Sequence, residues 1–528
     1  MQSNQSKTRR RLVTLIIVIV GVPLVIAAVL GIYLWRTSPL SCEWVIQTLE
    51  KRYQCQVELK SFDVSFFPIV SITGEGLVLN RLGPSGPTLL ASIRKFSATA
   101  LWIGLMRQPR HFGRVRLEGF VLVIPPRSKP AETEEQQQRQ QQDAQQQAST
   151  TTFVLDEILA SDALLEIVSS NPRKPPHEFK IHKLRMQSVG LGLPMSFQIT
   201  LTNPVPVGQI QSQGQFGPWN SADPSLTPVS GSYKFLDADL STIRGLGGKL
   251  DSLGKYDGVL SEIKVQGETD TPDFDLGISG NRVPLKTQFS AVVDGISGDV
   301  LLERVDAQLL GSKIVARGRV ARVPEGKGRF VLLDVTAGPA RLEDLLRLAV
   351  KSSKPSLTGA LSVQTKFDLH PGDETIAKRL KLDGSFDVQS AKFTDSETEA
   401  KITGLSRRSQ GKPGDEEIQN TPFELQGSFL LANSEAKFSR LTFSLPGAAL
   451  RLQGAFELTN QKLDFQGDLR LHAKVSQTTR GIKSLLLKPI DSLFERNGAG
   501  TVIPLKITGT RAQPSFQVDF GKVLRREN

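Results

Sequence analysis

The feature that most limits the fold is a two-residue alternation of apolar and polar side chains, repeated along the chain with glycines set into its apolar half. In Leu357–Leu369 (LTGALSVQTKFDL), Leu357, Leu361, Val363, Phe367 and Leu369 share one parity, while Ser362, Gln364, Lys366 and Asp368 share the other. Successive side chains of a strand point to opposite faces, so this period predicts a long strand with one buried and one wetted face. The pattern returns in residues 423–431 (FELQGSFLL), 450–458 (LRLQGAFEL) and 463–475 (LDFQGDLRLHAKV), with Gly427, Gly454 and Gly467 on the apolar side, and Gly384 has the same setting in LDGSFDV. Glycine inside a strand suits a bulge, a bend or the close approach of another backbone. Such glycines let a sheet curve tightly; the alternative is that they end strands of a flat sandwich.

Similar alternation fills residues 56–64 (QVELKSFDV, with one slip) and 69–79 (IVSITGEGLVL), which predict an N-terminal sheet module. Helix-like spacing is confined to residues 43–53, 341–350 (RLEDLLRLAV) and 482–494, the last broken by Pro489. At about ten residues plus a turn per strand, the remainder amounts to roughly twenty to thirty strands.

Residues 12–35 (LVTLIIVIVGVPLVIAAVLGIYLW) form 24 positions without a charged side chain. At about 1.5 Å per residue, that run is long enough to cross a hydrocarbon core of about 30 Å. Pro23 is tolerable there, and Tyr33 and Trp35 stand where an interfacial aromatic anchor belongs. Lys7, Arg9, Arg10 and Arg11 precede the run and only Arg36 follows it closely, which predicts a single-pass helix with a cytoplasmic N-terminus. A cleaved signal peptide is the competing reading, but the run exceeds the usual apolar length and no small-x-small site follows it. Cys42 and Cys55 would then lie in an oxidising compartment, paired or unpaired.

Residues 125–150 (PPRSKPAETEEQQQRQQQDAQQQAST) contain no apolar side chain larger than Ala, so nothing there repays the entropy of ordering, and a disordered linker is expected. Residues 406–421 read as a long exposed loop. The expected organisation is a cytoplasmic basic tail (1–11), the membrane helix (12–35), an N-terminal β module (36–124), the linker (125–150) and a C-terminal β region (151–528) containing the 406–421 insertion.

Two cysteines and five scattered histidines (His111, His177, His182, His370, His472) exclude cysteine-rich metal chemistry. The phosphate-loop, nucleophile-elbow, zincin and dinucleotide fingerprints are absent. Asp237 with Asp239, and Asp273 with Asp275, share strand parity, but exposed sheet faces carry such pairs routinely. The formal net charge of +12 is spread along the chain, and the aromatics are 26 Phe with four Tyr and four Trp. A nucleic-acid reader instead clusters cations beside stacking rings. No enzyme, cofactor, metal or nucleic-acid partner is therefore expected; dispersed positive charge fits solubility and attraction to anionic head groups.

One N-terminal apolar helix, the early segment SFDVSFFPIVSITGEGLVL, a long run of G-x-F strands and the ending DSLFERNGAGTVIPLKITGTRAQPSFQVDF together resemble the AsmA-like proteins of Gram-negative-type bacteria. Residues 498–520 carry the most specific part, and the Gln-rich linker departs from the family. The resemblance implies an inner-membrane-anchored periplasmic protein connected with outer-membrane biogenesis, with larger relatives such as TamB proposed to conduct phospholipid along an apolar groove. It implies no catalytic residues.

The expected fold is thus mainly β: the membrane helix, then a long, curved, mostly antiparallel sheet groove with a few short helices. The expected groove-lining residues are Phe429, Leu431, Leu452, Phe456, Phe465 and Leu469. Alternation alone does not separate an open trough from a closed sandwich core or barrel, so both readings stand. The partners expected of the first are phospholipids or other envelope lipids and the inner membrane. A scaffold or regulator that helps assemble outer-membrane proteins through exposed strand edges is the alternative.

Overall fold

The computed structural model describes residues 55–124, 153–168, 176–411, 421–474 and 501–518, with short gaps inside those ranges, together with 46, 47, 50 and a few isolated positions. Among the described residues the protein is mainly β, with 25 strands and three α-helical segments. None of these helices is long and apolar enough to cross a membrane; residues 12–35 lie outside the described residues, as do the Gln-rich segment and the expected helix at 482–494. The chain divides into two compact units. The first comprises Met1–Arg244, Lys249–Thr269 and Ala291–Gly298, and the second Gly245–Gly248, Asp270–Ser290 and Asp299–Asn528.

In the first unit β1 (Gln56–Glu58) and β2 (Ser61–Ser65) both pair with β3 (Val70–Gly83). The slip in the sequence pattern is the break between them, where Lys60 N donates to Glu75 O at 3.1 Å and the Lys60 side chain lies against Gly76. β4 (Gly86–Ala100) and β5 (Arg110–Ile124) continue antiparallel, whereas β5 and β6 (Phe153–Ile167) are parallel. A parallel pair needs a crossover of about a dozen residues or more. Residues 125–152 supply that length. β7 (His177–Val189), β8 (Met195–Pro204), β9 (Val207–Phe216) and β10 (Pro228–Asp239) then follow as antiparallel neighbours. β11 is the two-residue strand Leu246–Gly247 of the second unit, and β12 (Lys249–Val259) pairs with β10. The core of this unit lies on the inward face of β3 to β8: Leu77, Ile93, Leu155, Val189 and Met195 are almost fully buried. Cys55 joins it, and burial pushes its thiol pKa up.

β13 (Glu262–Leu276) and β14 (Val283–Val293) contribute residues to both units. The second unit continues with β15 (Val300–Leu309), β16 (Ser312–Arg322) and β17 (Arg329–Arg341). There α1 (Leu342–Ala349) interrupts the sheet before β18 (Leu357–Leu369). The single turn α2 (Ile376–Arg379) leads into β19 (Leu380–Phe393), and α3 (Ser396–Ser409) separates that strand from β20 (Phe423–Ala432). β21 (Glu435–Leu445), β22 (Ala448–Glu457), β23 (Lys462–Leu471), β24 (Thr501–Thr510) and β25 (Pro514–Val518) complete it. From β15 onward each strand pairs antiparallel with the next, and the alternating segments read from the sequence are strands at the expected places.

The helices close one end of this sheet. On α1, the buried Asp344 accepts hydrogen bonds from Gly311 N (3.0 Å) and Ser312 Oγ (2.8 Å), which ties the helix to the β15–β16 turn. α3 corrects the sequence expectation: residues 406–409, expected in a loop, are its last turn, with Ser406 and Ser409 buried, Ser406 Oγ donating to Pro446 O at 2.7 Å and Ala473 N donating to Ser409 O at 2.9 Å. Residues 412–420 of that expected loop lie outside the described residues. The Asp395 carboxylate caps α3 by accepting from Thr398 N at 2.8 Å, acids fill the first turn and Arg407 and Arg408 the last, a charge order that favours helix at both ends. Under the helices lies the second core, made of Leu361, Val388, Ala391, Phe423, Leu445, Ala448 and Leu471. The Phe423 ring sits 5.1 Å from that of Phe393 and 4.6 Å from that of Phe443.

Candidate functional site

Strand register assembles the inward side chains of the second unit into rows that run across the strands. Leu333, Phe367, Leu382, Leu431, Ala436, Phe456 and Leu463 form one row from β17 to β23. The next contains Gly384, Phe429, Phe438, Gly454, Phe465 and Ile507. A third holds Val363, Phe386, Gly427, Leu441, Leu452, Gly467 and Leu505, and a fourth, nearest the helices, holds Leu425, Phe443, Leu450, Leu469 and Ile503. All six residues expected to line a groove therefore lie on one face of four consecutive strands, β20 to β23.

Their burial is graded. Phe429, Leu431, Leu452 and Phe456 are half-buried, Leu469 packs against the core beneath the helices, and Phe465 is buried at 7% exposure. A filled sandwich core buries such side chains almost completely, as Phe423 is at 2% in the same sheet. Away from the helices, then, the apolar face keeps solvent access among the described residues. Leu333, Phe367, Leu382 and Phe438 belong to the same surface without having been named as groove-lining from the sequence, although their alternating parity was the signal that marks them.

The inward glycines have a more specific role than bending. Gly427 stands opposite Phe386, and a Cβ built on it would sit 2.7 Å from that ring; a Cβ on Gly454 would sit 2.9 Å from the ring of Phe465. Each aromatic thus lies across the bare backbone of the neighbouring strand, which smooths the apolar face and covers the glycine.

The other face is polar and charge-alternated. Arg317, Asp334, Lys366 and Asp383 are successive cross-strand partners, so opposite charges neighbour one another. On the polar face of the first unit Glu157 accepts from Arg185 Nε at 2.7 Å and from Arg114, and these two guanidinium groups hold its carboxyl below the ordinary pKa. Beside it lies a shallow concavity of about 450 Å3 lined by exposed Arg185, Gln187, Gln198, Gln213 and Lys255.

The acid pair Asp237 and Asp239 does not form a couple. Asp237 takes a left-handed φ of 52° inside a bulge, which breaks the parity of the strand. Asp239 spends its carboxylate on Ser241 N, Ser241 Oγ and Lys249, and the Ser241 hydrogen bonds are the main cause of its lowered pKa. Among the described residues no three His, Cys, Asp or Glu side chains are grouped so as to hold a metal ion. Cys42 lies outside the described residues, so its pairing with Cys55 does too.

Compared with protein-family models, curated proteins and solved structures, the chain matches none of them. Its assignment rests on its own residues: a β-rich chain whose second unit, among the described residues, presents a wide, partly accessible apolar sheet face, closed at one end by helices.

Proposed function

We propose that this chain is an AsmA-like, membrane-tethered lipid-handling protein, with the apolar face of the second unit sheltering phospholipid acyl chains and no covalent chemistry of its own. The observation that carries the reading is the run of half-buried Leu and Phe rows from β17 to β23, which an unfilled face would expose to water at a cost. Each methylene moved from water onto such a surface contributes about 0.8 kcal/mol, so an acyl chain gains strongly while its head group stays wet. Rows of chemically similar side chains offer many near-equal positions, which favours sliding over trapping. The tether is residues 12–35, placing the N-terminus in the cytoplasm and the bulk in the periplasm at the inner membrane, in the service of outer-membrane biogenesis.

Native mass spectrometry of the full chain in mild detergent, followed by lipid extraction, tests this. Recovered phospholipid that disappears on Leu452→Asp with Phe456→Asp, the circular dichroism spectrum unchanged, supports it. A protein that carries no lipid, and whose Asp variants unfold, contradicts it.

One observation favours the scaffold reading instead. β25 is exposed along its whole length, pairs only with β24 among the described residues, and shows Phe516 at 66% exposure. An open edge of this kind can take an added strand from a partner such as an unassembled outer-membrane protein.

A further inference from the structure

In the first unit the inward rows change chemistry partway across the sheet. One row runs Ile72, Ala98, Val115, Ile158, Met186, Phe197 and then Gly214, Gly231 and Tyr256. The adjacent row runs Phe96, Leu117, Ala160, Leu184 and Ile199, then Ser212, Tyr233 and Gly254. From β9 onward, aliphatic side chains give way to glycines and hydroxyls on a face that is otherwise apolar.

The hydroxyls form two directed relays. Ser212 Oγ donates to the Ser232 carbonyl at 3.0 Å, which uses its single hydrogen, so the 2.8 Å contact with Tyr256 Oη must have the tyrosine as donor. Ser252 Oγ donates to the Glu268 carbonyl at 3.0 Å, so Tyr233 Oη donates to Ser252 at 3.2 Å. The rings are held in place by missing side chains: a Cβ on Gly231 would lie 2.6 Å from Tyr256 Oη, and a Cβ on Gly254 would lie 2.8 Å from the Tyr233 ring. Both tyrosines are half-buried. Every hydroxyl hydrogen in the two relays is already committed to the protein. Each phenolic oxygen therefore presents lone pairs alone and acts as an acceptor.

We propose that Tyr233 and Tyr256 form a polar subsite on this face that selects lipids whose polar portion carries O–H or N–H donors over lipids that carry none. The inference rests on the lipid-handling reading above. An ammonium or hydroxyl group gains a hydrogen bond at the two oxygens, whereas a quaternary choline group has no hydrogen to donate. Burial raises the pKa of both phenols, so they stay neutral and no charge attraction substitutes for the hydrogen bond.

The full chain, purified in mild detergent, is incubated with vesicles of equal parts phosphatidylethanolamine and phosphatidylcholine, repurified, and its bound lipid extracted and quantified. The expected result is about fivefold enrichment of phosphatidylethanolamine, the selectivity that one hydrogen bond of ordinary net strength supplies. Tyr233→Phe with Tyr256→Phe keeps both rings over their glycines and removes both oxygens; it is expected to bring the ratio to that of the vesicles with total lipid unchanged. Captured lipid without preference, or a preference that survives the double substitution, overturns the subsite alone. No captured lipid of either kind overturns the lipid-handling reading and this inference with it.

Discussion

The two ends of the apolar rows in the second unit should respond differently to the same truncation. Phe423 is 2% exposed beneath the helices and its ring centre lies 4.6 Å from that of the tilted Phe443 ring, so Phe423→Ala removes a fully packed ring and leaves a cavity. Such a loss costs about 3–5 kcal/mol. Phe456 lies on the same face of the same sheet, half-buried, next to Ala436 and Leu463. Where one side of a ring already faces solvent, only part of its contact is lost and little cavity is created, so Phe456→Ala should cost roughly 1–2 kcal/mol, about half the transfer value of a buried ring. The assay is urea unfolding of the detergent-solubilised chain followed by circular dichroism, reading the midpoint of the transition that Phe423→Ala shifts. A Phe456→Ala shift as large as that of Phe423→Ala would refute the reasoning, because it would mean that the middle of the face is as tightly packed as its end.

Three further outcomes follow from particular contacts. Gly427→Ala should destabilise the second unit, and the penalty should shrink markedly in a Phe386→Leu background, since the ring 2.7 Å from the new Cβ is what it strikes; a double-mutant cycle reads the coupling. Asp344→Ala strips the acceptor from Gly311 N and Ser312 Oγ and should cost about 2 kcal/mol, chiefly by leaving the buried Ser312 hydroxyl without its carboxylate acceptor, measured as a lowered unfolding midpoint. Glu157 has a folded pKa held below its unfolded value of 4.5, so its contribution is present above that pH and is lost as pH falls through the folded pKa. Chemical unfolding at pH 6 and at about pH 3 should therefore show a smaller acid loss for Glu157→Gln than for the wild type.

Much of the sheet was legible because a half-wetted strand must alternate. Leu357–Leu369 and the segments around Gly427, Gly454 and Gly467 fold where their parity places them, and the six candidate side chains share the face their spacing implied. The fate of that face was not legible, since parity marks a side without saying what covers it. The grading from Phe423 to Phe456 arises from α1 and α3 docking at one end. α3 itself escaped because SETEAKITGLSRRS has only Ile402 and Leu405 as large apolar residues; its signals were the Asp395 cap, early acids and late arginines. The bulge at Asp237 hid in a similar way, as one left-handed residue reverses every parity argument beyond it. The tyrosine relays could not be seen at all, since Tyr256 meets Ser212 only by crossing β10 over Gly231.

The most direct test of the central claim is site-specific photocrosslinking in membranes at adjacent residues of β22. Leu452 and Gln453 are one residue apart and face opposite sides of the sheet, so Leu452→benzoylphenylalanine and Gln453→benzoylphenylalanine sample the apolar and polar faces at the same depth. The account predicts crosslinks to radiolabelled phospholipid at position 452 and not at 453. Equal labelling at both positions, or none at 452 in a folded protein, would contradict it.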